Sequence, residues 1–127
     1  MNKKLLIVDD NDGIRDLLTR ILEERGYKTC SARNGNEGLR NFHLERPDMV
    51  VTDLKMPGMN GYELSRIVKE ESSVPIVMIT GYGLEAVDEA EAYCAGVYAF
   101  LRKPFDVDVL LAQVSALLAK THSNAGR

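Results

Sequence analysis

The stretch MVVTDLKMPGMNG, residues 49–61, joins an apolar run, an aspartate and a loop rich in methionine, proline and glycine. The run Met49–Thr52 lacks the polar alternation of a half-exposed strand, which is typical of a strand covered on both faces in a parallel sheet. Asp53 follows at once, and the loop from Lys55 to Gly61 leads into a helical pattern that extends to about Glu71. This βα unit decides the fold, because the rest of the chain repeats it.

Four further units have the same order of strand and helix. The other predicted strands are Lys4–Val8, Lys28–Ala32, Pro75–Ile79 and Ala99–Leu101, and the other predicted helices cover 12–25, the segment between Gly35 and Pro47, 84–95, and a last helix capped by Asp106. Five such units in series predict an α/β fold with an open, doubly wound, five-stranded parallel sheet and five helices on its two faces.

Length and composition describe one ordinary globular domain. The chain has 127 residues, 45% of them hydrophobic and 28% charged, with a net charge of −3. We assign the domain to residues 1–120 and a polar C-terminal tail to 121–127. The charge does not favour nucleic acid or an anionic membrane, and no apolar run has a bilayer-spanning length. Cys30 and Cys94 lack metal-ligand spacing and are expected to be free thiols, so we expect a cytoplasmic location.

Chemically active side chains follow the predicted strands at their carboxyl ends. They are the pair Asp9 and Asp10, then Asp53, Thr80 and Lys103. Ligands of open parallel sheets bind beyond this edge, at the point where the strand order switches, so we expect the five side chains to share a cleft. Carboxylates held close together repel one another, and oxygen ligands suit Mg²⁺, or Mn²⁺ in its place.

Four motifs, in this order and each at a strand end, resemble those of the receiver domain of two-component response regulators. They are LIVDD at 6–10, DLKMPGMNG at 53–61, Thr80-Gly81 and Lys103-Pro104-Phe105. The resemblance extends from about Lys4 to Leu118 and implies a flavodoxin-like sheet with the strand order 2-1-3-4-5.

The resemblance also implies a role for each site residue. Asp53 is expected to accept a phosphoryl group from a phosphohistidine. Metal ligands are expected from Asp10, Asp53 and the backbone carbonyl of Lys55, with Asp9 acting directly or through water. Lys103 is expected to pair with the phosphoryl group, or with Asp53 before the reaction.

The remaining expected roles concern switching and loop shape. Thr80 is expected to hydrogen-bond the phosphoryl group, and Phe100 to fill the space that Thr80 vacates. Pro57, Gly58 and Gly61 are expected to shape the loop, and Pro104 to follow a cis peptide bond. The output surface is expected on the last two predicted helices and the fifth strand, over 84–95, Tyr98 and 106–120.

The resemblance implies a signalling phosphoacceptor rather than an enzyme. Expected partners are a sensor histidine kinase or a histidine phosphotransfer protein, a downstream protein target or a missing output domain, and a second copy of the chain after phosphorylation. Lys55 and Tyr82 offer no obvious side chain to orient attacking water, so we expect slow self-hydrolysis. The stretch after Lys120 is too short for an output domain of its own.

Two other classes of protein fit the sequence less well. A Mg²⁺-dependent phosphatase with an aspartate nucleophile would need a second acid two residues after Asp53, where Lys55 stands. A nucleotide-binding fold would need a glycine-rich loop after Val8, where the acidic pair stands instead.

Overall fold

The structure is a computed structural model, and it describes residues 2–81, 92–93 and 95–125, with side chains up to residue 119. Five strands form a single parallel sheet in the order β2-β1-β3-β4-β5. The strands are β1 (Lys4–Val8), β2 (Lys28–Ala32), β3 (Met49–Thr52), β4 (Ile76–Thr80) and β5 (Ala99–Arg102). The predicted fold class and strand order are confirmed.

The described part of the chain contains four helices. They are α1 (Asp12–Glu24), α2 (Gly35–Glu45), α3 (Gly61–Glu71) and the last helix, labelled α4 (Val107–Ala125). The helix predicted over 84–95 lies mostly on residues outside the described part, where Ala92 and Tyr93 alone are seen to be helical. The fourth predicted helix can therefore be compared with the structure only near its C-terminal end.

The first three helices each have an asparagine as the N-cap residue. Asn11, Asn34 and Asn60 each accept a hydrogen bond from the backbone N–H three residues later, which satisfies one of the free donors of a helix start. Asn60 and Glu63 form a reciprocal capping box. These caps fix where α1 and α3 begin, on the C-terminal side of the two acidic strand ends.

The sheet is covered on both faces, which explains its apolar strands. One face packs against α2 and α3, through residues such as Leu6, Met78 and Leu64, and the other packs against α1 and α4, through residues such as Ile7, Val77 and Leu110. Alternate residues of β1, β3, β4 and β5 therefore enter opposite cores. Burial in both cores holds the carboxyl ends of β1, β3, β4 and β5 in line.

Several element ends differ from the sequence prediction. The fourth strand begins at Ile76 rather than Pro75 and includes Thr80, because Thr80 pairs with Arg102 and its carbonyl accepts a hydrogen bond from the N–H of Lys103. The fifth strand extends to Arg102 for the same reason. Helix α4 continues to Ala125, into the segment assigned to the tail, and the domain boundary at residue 120 stays a prediction.

Candidate functional site

Three carboxylates meet at the carboxyl edge of the sheet. Asp9 and Asp10 follow β1, and Asp53 follows β3, the neighbouring strand. One oxygen from each of the three lies within 4.8 Å of the others. At that separation two unit charges repel by roughly 3 kcal/mol for an effective dielectric constant near 20. The predicted convergence of the acids is therefore present, and it is electrostatically costly.

Asp53 is the carboxylate of β3, and it is only 7% exposed. Its Oδ1 accepts a hydrogen bond of 2.8 Å from the N–H of Leu54, and its Oδ2 accepts one of 3.4 Å from Nζ of Lys103. Burial, and then the nearby charge of Asp9, raise the pKa of Asp53 above its ordinary value, although Lys103 and the Leu54 N–H act in the opposite direction. The folded protein thus holds this carboxylate in an environment that disfavours its charge.

Asp9 and Asp10 are adjacent in sequence but differ in environment. Asp9 is buried, with Oδ1 bonded to the N–H of Asn11 at 2.9 Å and Oδ2 bonded to Nζ of Lys103 at 3.0 Å. Asp10 is exposed, and within the described part of the chain its carboxylate accepts no hydrogen bond. Asp10 is therefore the acid of the pair whose oxygens are open to a ligand.

Lys103 is the cation of the cleft. Its side chain is 18% exposed and contacts Asp9 at 3.0 Å and Asp53 at 3.4 Å. Burial lowers the pKa of Lys103, but the hydrogen bond to Asp9 and the charges of the two aspartates outweigh it, so the pKa lies above the ordinary 10.5. The sequence predicted the contact with Asp53 and missed the shorter contact with Asp9.

The donor set fits a hard divalent cation. It consists of carboxylate oxygens, without sulfur or imidazole, and one lysine charge faces three carboxylate charges. A divalent cation at this position would remove the remaining repulsion, and all-oxygen sites suit Mg²⁺ or Mn²⁺. Lys55, whose carbonyl was the further predicted ligand, is exposed on the loop that follows Asp53.

Thr80 is the last residue of β4, the strand beside β3, and its hydroxyl is unused within the described structure. It is 1% exposed, and its Oγ1 has no hydrogen-bond partner among the residues that the structure describes. An orphaned buried hydroxyl is uncommon and costs free energy. Thr80 alternates with Ile79, so it faces the same side of the sheet as Met78, the strand partner of Phe100. Phe100 is half-buried on that side, one diagonal step from Thr80.

The loop after Asp53 leaves no space for side chains at two glycines. A Cβ on Gly61 would lie 2.3 Å from the carbonyl oxygen of Asp53, and a Cβ on Gly35 would lie 2.5 Å from that of Met59. Gly58 has a φ of +75°, which favours glycine. Pro57 is exposed in this loop. On the other side of the cleft, the Lys103–Pro104 peptide bond is cis.

One residue at the site was not predicted from the sequence. Arg15 of α1 donates a hydrogen bond from Nη1 to the carbonyl oxygen of Asp9 at 2.8 Å and forms an ion pair with Asp12. The i, i+3 spacing of Asp12 and Arg15 was a readable signal for the pair. Nothing in the sequence indicates the backbone contact. Tyr82, expected beside the site, lies outside the described residues.

The fold and the site together define a flavodoxin-like α/β domain with a candidate metal and phosphate site at its carboxyl edge. The family model described as the response regulator receiver domain matches residues 5–115. The chain therefore belongs to the response regulator receiver domain family, as its motifs predicted. Its acidic cluster fits the phosphorylation site of such a domain.

Two relatives illustrate the range of this family. The Bacillus subtilis protein named sporulation initiation phosphotransferase F is 38% identical over 120 residues, which cover 93% of this chain and 95% of that protein. The DNA-binding response regulator MtrA of Mycolicibacterium smegmatis is 35% identical over 120 residues, 94% of this chain and 52% of that protein. This chain thus spans about half the length of several curated relatives, MtrA among them.

Solved structures agree with the fold. A CheY-like response regulator receiver domain protein from Methanospirillum hungatei superposes with a TM-score of 0.91 at 30% identity, covering 98% of this chain and 99% of that one. The receiver domain of a signal transduction histidine kinase from Syntrophus aciditrophicus gives 0.85 at 35% identity, covering 93% and 91%. Among the described helices, none is long and apolar enough to cross a membrane.

Proposed function

We propose that Asp53 is the phosphoacceptor of a Mg²⁺-dependent signalling receiver. The observation that carries this proposal is the buried Asp53 carboxylate, placed beside Asp9, Asp10 and Lys103 at one edge of the sheet. Asp10, Asp53 and the carbonyl of Lys55 would hold the metal, with Asp9 directly or through water. When bound, the metal supplies charge neutralisation for the transferred phosphoryl group.

The chain's own residues account for the transfer step. An oxygen of Asp53 attacks the phosphorus of a phosphohistidine, the new O–P bond forms as the P–N bond breaks, and the electron pair of that bond returns to the imidazole nitrogen. Lys103, fixed by Asp9, keeps a positive charge beside the reacting oxygens. Phosphoryl transfer depends mainly on positioning and electrostatic stabilisation, which this arrangement provides.

Thr80 and Phe100 are proposed to report the phosphorylated state. The Thr80 hydroxyl is buried and has no partner among the described residues, so a phosphoryl oxygen on Asp53 would give it a hydrogen bond. A shift of Thr80 toward Asp53 opens space on the face where Phe100 lies, and Phe100 would then move inward. Phosphorylation biases an existing equilibrium between the two arrangements and changes the surface of 84–95, β5 and α4.

The proposed partners follow from the same chemistry. The phosphoryl donor is a sensor histidine kinase or a histidine phosphotransfer protein, and the recipient of the signal is a downstream protein, an output domain on a longer chain, or a second copy after phosphorylation. The name of the B. subtilis relative supports a relay role, and that of MtrA supports fusion to a DNA-binding unit. We place this signalling in the cytoplasm, and propose that the domain catalyses only its own phosphorylation and slow dephosphorylation.

Intact-mass measurement after incubation with acetyl phosphate and Mg²⁺ tests the proposal directly. The wild-type protein should gain the mass of one phosphoryl group, and Asp53→Asn should gain none because its nucleophile is gone. Asp48→Asn is the matched control, since Asp48 is an aspartate at the opposite edge of the sheet. An unmodified wild type, or equal modification of Asp53→Asn, would overturn the assignment.

A further inference from the structure

Arg15 links the first turns of α1 to the loop that carries the acidic pair. Its Nη1 donates to the carbonyl oxygen of Asp9 at 2.8 Å, and its Nη2 contacts the carboxylate of Asp12. The Arg15 side chain is 14% exposed, whereas that of Asp12 is 81% exposed. The arginine is therefore packed inward against the backbone and is not a solvated surface charge.

The backbone around Asp9 is held at several points. The N–H of Asp9 donates to the carbonyl of Ala32 at 3.2 Å, and the N–H of Asn11 donates to Oδ1 of Asp9 at 2.9 Å. Arg15 takes the remaining group, the Asp9 carbonyl, which belongs to the peptide unit shared with Asp10. Since the exposed Asp10 carboxylate accepts no hydrogen bond in the described structure, its position depends on this backbone.

We propose that Arg15 is a positioning residue for the metal site, because its guanidinium fixes the Asp9–Asp10 peptide that places the Asp10 carboxylate. This inference rests on the metal site of the proposed function. A guanidinium is a planar fork that reaches an oxygen at each side, and a lysine ammonium lacks that geometry although it keeps the charge. Residues that orient metal ligands typically change metal affinity by tenfold or more when they are replaced.

An electrostatic role and a positioning role of Arg15 predict opposite changes in Mg²⁺ affinity, so an experiment can distinguish them. The positive charge of Arg15 repels a cation, and a purely electrostatic role would make Arg15→Ala bind Mg²⁺ more tightly and leave Arg15→Lys unchanged. A positioning role makes both variants bind Mg²⁺ more weakly, by about tenfold. Arg20 is the matched control, as an exposed arginine on the same helix.

Mg²⁺ titration followed by amide chemical shifts in NMR spectra gives the affinities of wild type, Arg15→Lys, Arg15→Ala and Arg20→Lys. In the metal-free protein, hydrogen exchange at the amide of Asn11, which donates to Oδ1 of Asp9, should be faster in Arg15→Lys than in wild type, with no general increase elsewhere. This readout is independent of metal loading and of phosphorylation, and it detects the loss of the backbone anchor itself.

The outcomes distinguish the inference from the proposed function. Weaker Mg²⁺ binding by both Arg15 variants, faster local exchange and an unchanged Arg20→Lys support the positioning role. Wild-type affinity in Arg15→Lys, or tighter binding by Arg15→Ala, overturns this inference and leaves the proposed function standing. A wild type that does not bind Mg²⁺ overturns the proposed function and this inference with it.

Discussion

The two edges of the sheet handle charge in opposite ways. At the carboxyl edge, three aspartates share one lysine, and the hydroxyl of Thr80 lacks a partner in the described structure. At the amino edge, Lys4 pairs with Glu45 at 2.9 Å, and its backbone N–H donates to Asp48 at 2.9 Å. The N–H of Asp48 in turn donates a hydrogen bond of 2.7 Å to the carbonyl oxygen of Lys4.

The difference separates polar groups that stabilise the fold from those of the candidate site. Each charge named at the amino edge has a partner of opposite sign or a hydrogen bond, so that edge gains stability from its polar groups. The carboxyl edge keeps like charges together and a donor unused, which costs stability unless a ligand arrives. Substitutions of the same kind at the two edges should therefore differ in the size of their effect on stability, and for some pairs in its sign.

Lysine removal should give the largest effect. Lys103→Met is expected to lower the free energy of unfolding by about 2 kcal/mol without Mg²⁺, because it leaves the buried Asp9 and Asp53 uncompensated. The Lys103 side chain is 18% exposed, so this loss of stability is smaller than the full cost of breaking a completely buried ion pair. Because the pKa of Lys103 is raised, the stabilisation is complete below pH 10.5 and disappears only as pH rises through the folded-state pKa.

Urea unfolding of Lys103→Met and Lys4→Met, with and without Mg²⁺, measures this difference. Lys4→Met should change little, because its partner Glu45 is exposed and surface pairs contribute little. Mg²⁺ should reduce the difference in the free energy of unfolding between wild type and Lys103→Met, because it supplies the missing positive charge. Equal losses at Lys4 and Lys103 would remove the distinction between the two edges.

Replacing Asp53 by asparagine should raise the free energy of unfolding, whereas replacing Lys103 lowers it. The folded-state pKa of Asp53 lies above its ordinary 3.8, so its contribution to stability is favourable below that pH and is lost as pH rises through the folded-state pKa. Asp53→Asn should therefore match wild type near pH 3 and exceed it by about 1 kcal/mol at pH 7 without Mg²⁺. Asp48→Asn should show no such gain, because Asp48 is already paired. Thermal unfolding across pH checks both, and an Asp53→Asn protein less stable than wild type at pH 7 would contradict the expectation.

Removal of a hydroxyl should give the smallest effect. Thr80→Val keeps the shape of the side chain and deletes an orphaned buried donor, so the free energy of unfolding should rise by about 0.5 kcal/mol or stay level. Ser72→Ala at the amino edge should instead lose slightly, because Oγ of Ser72 accepts a hydrogen bond of 3.2 Å from the N–H of Val74. A clear loss of stability in Thr80→Val would show that its hydroxyl already has a partner.

The sequence carried most of the fold because burial on both faces gives the three central strands, β1, β3 and β4, continuous apolar runs. The bounds of β1, β2 and β3 match the prediction residue for residue. The ends of β4 and β5 were less accurate, since Thr80 and Arg102 are polar and only their pairing across the sheet places them in strands. Local residue type does not contain that information.

The candidate site was predictable in position and not in detail. The strand-end rule placed Asp9, Asp10, Asp53 and Lys103 together, because parallel strands end at one edge. That Lys103 lies nearer Asp9 than Asp53 depends on side chains that are 94 residues apart in sequence, and no spacing rule fixes it. The contact of Arg15 with a backbone carbonyl was missed for the same reason.

The tight glycines beside Asp53 have a mechanical consequence. Gly61 and Gly35 leave no gap between the loop of residues 53–61 and the starts of α3 and α2, so this wall of the cleft is stiff. The opposite wall includes Gly81, where a Cβ would meet no atom of the described residues within 4 Å, and Thr80, whose hydroxyl has no partner among those residues. On the proposed function, a phosphoryl group added to Asp53 would meet the stiff wall on one side, and the displacement would be directed toward β4 and β5.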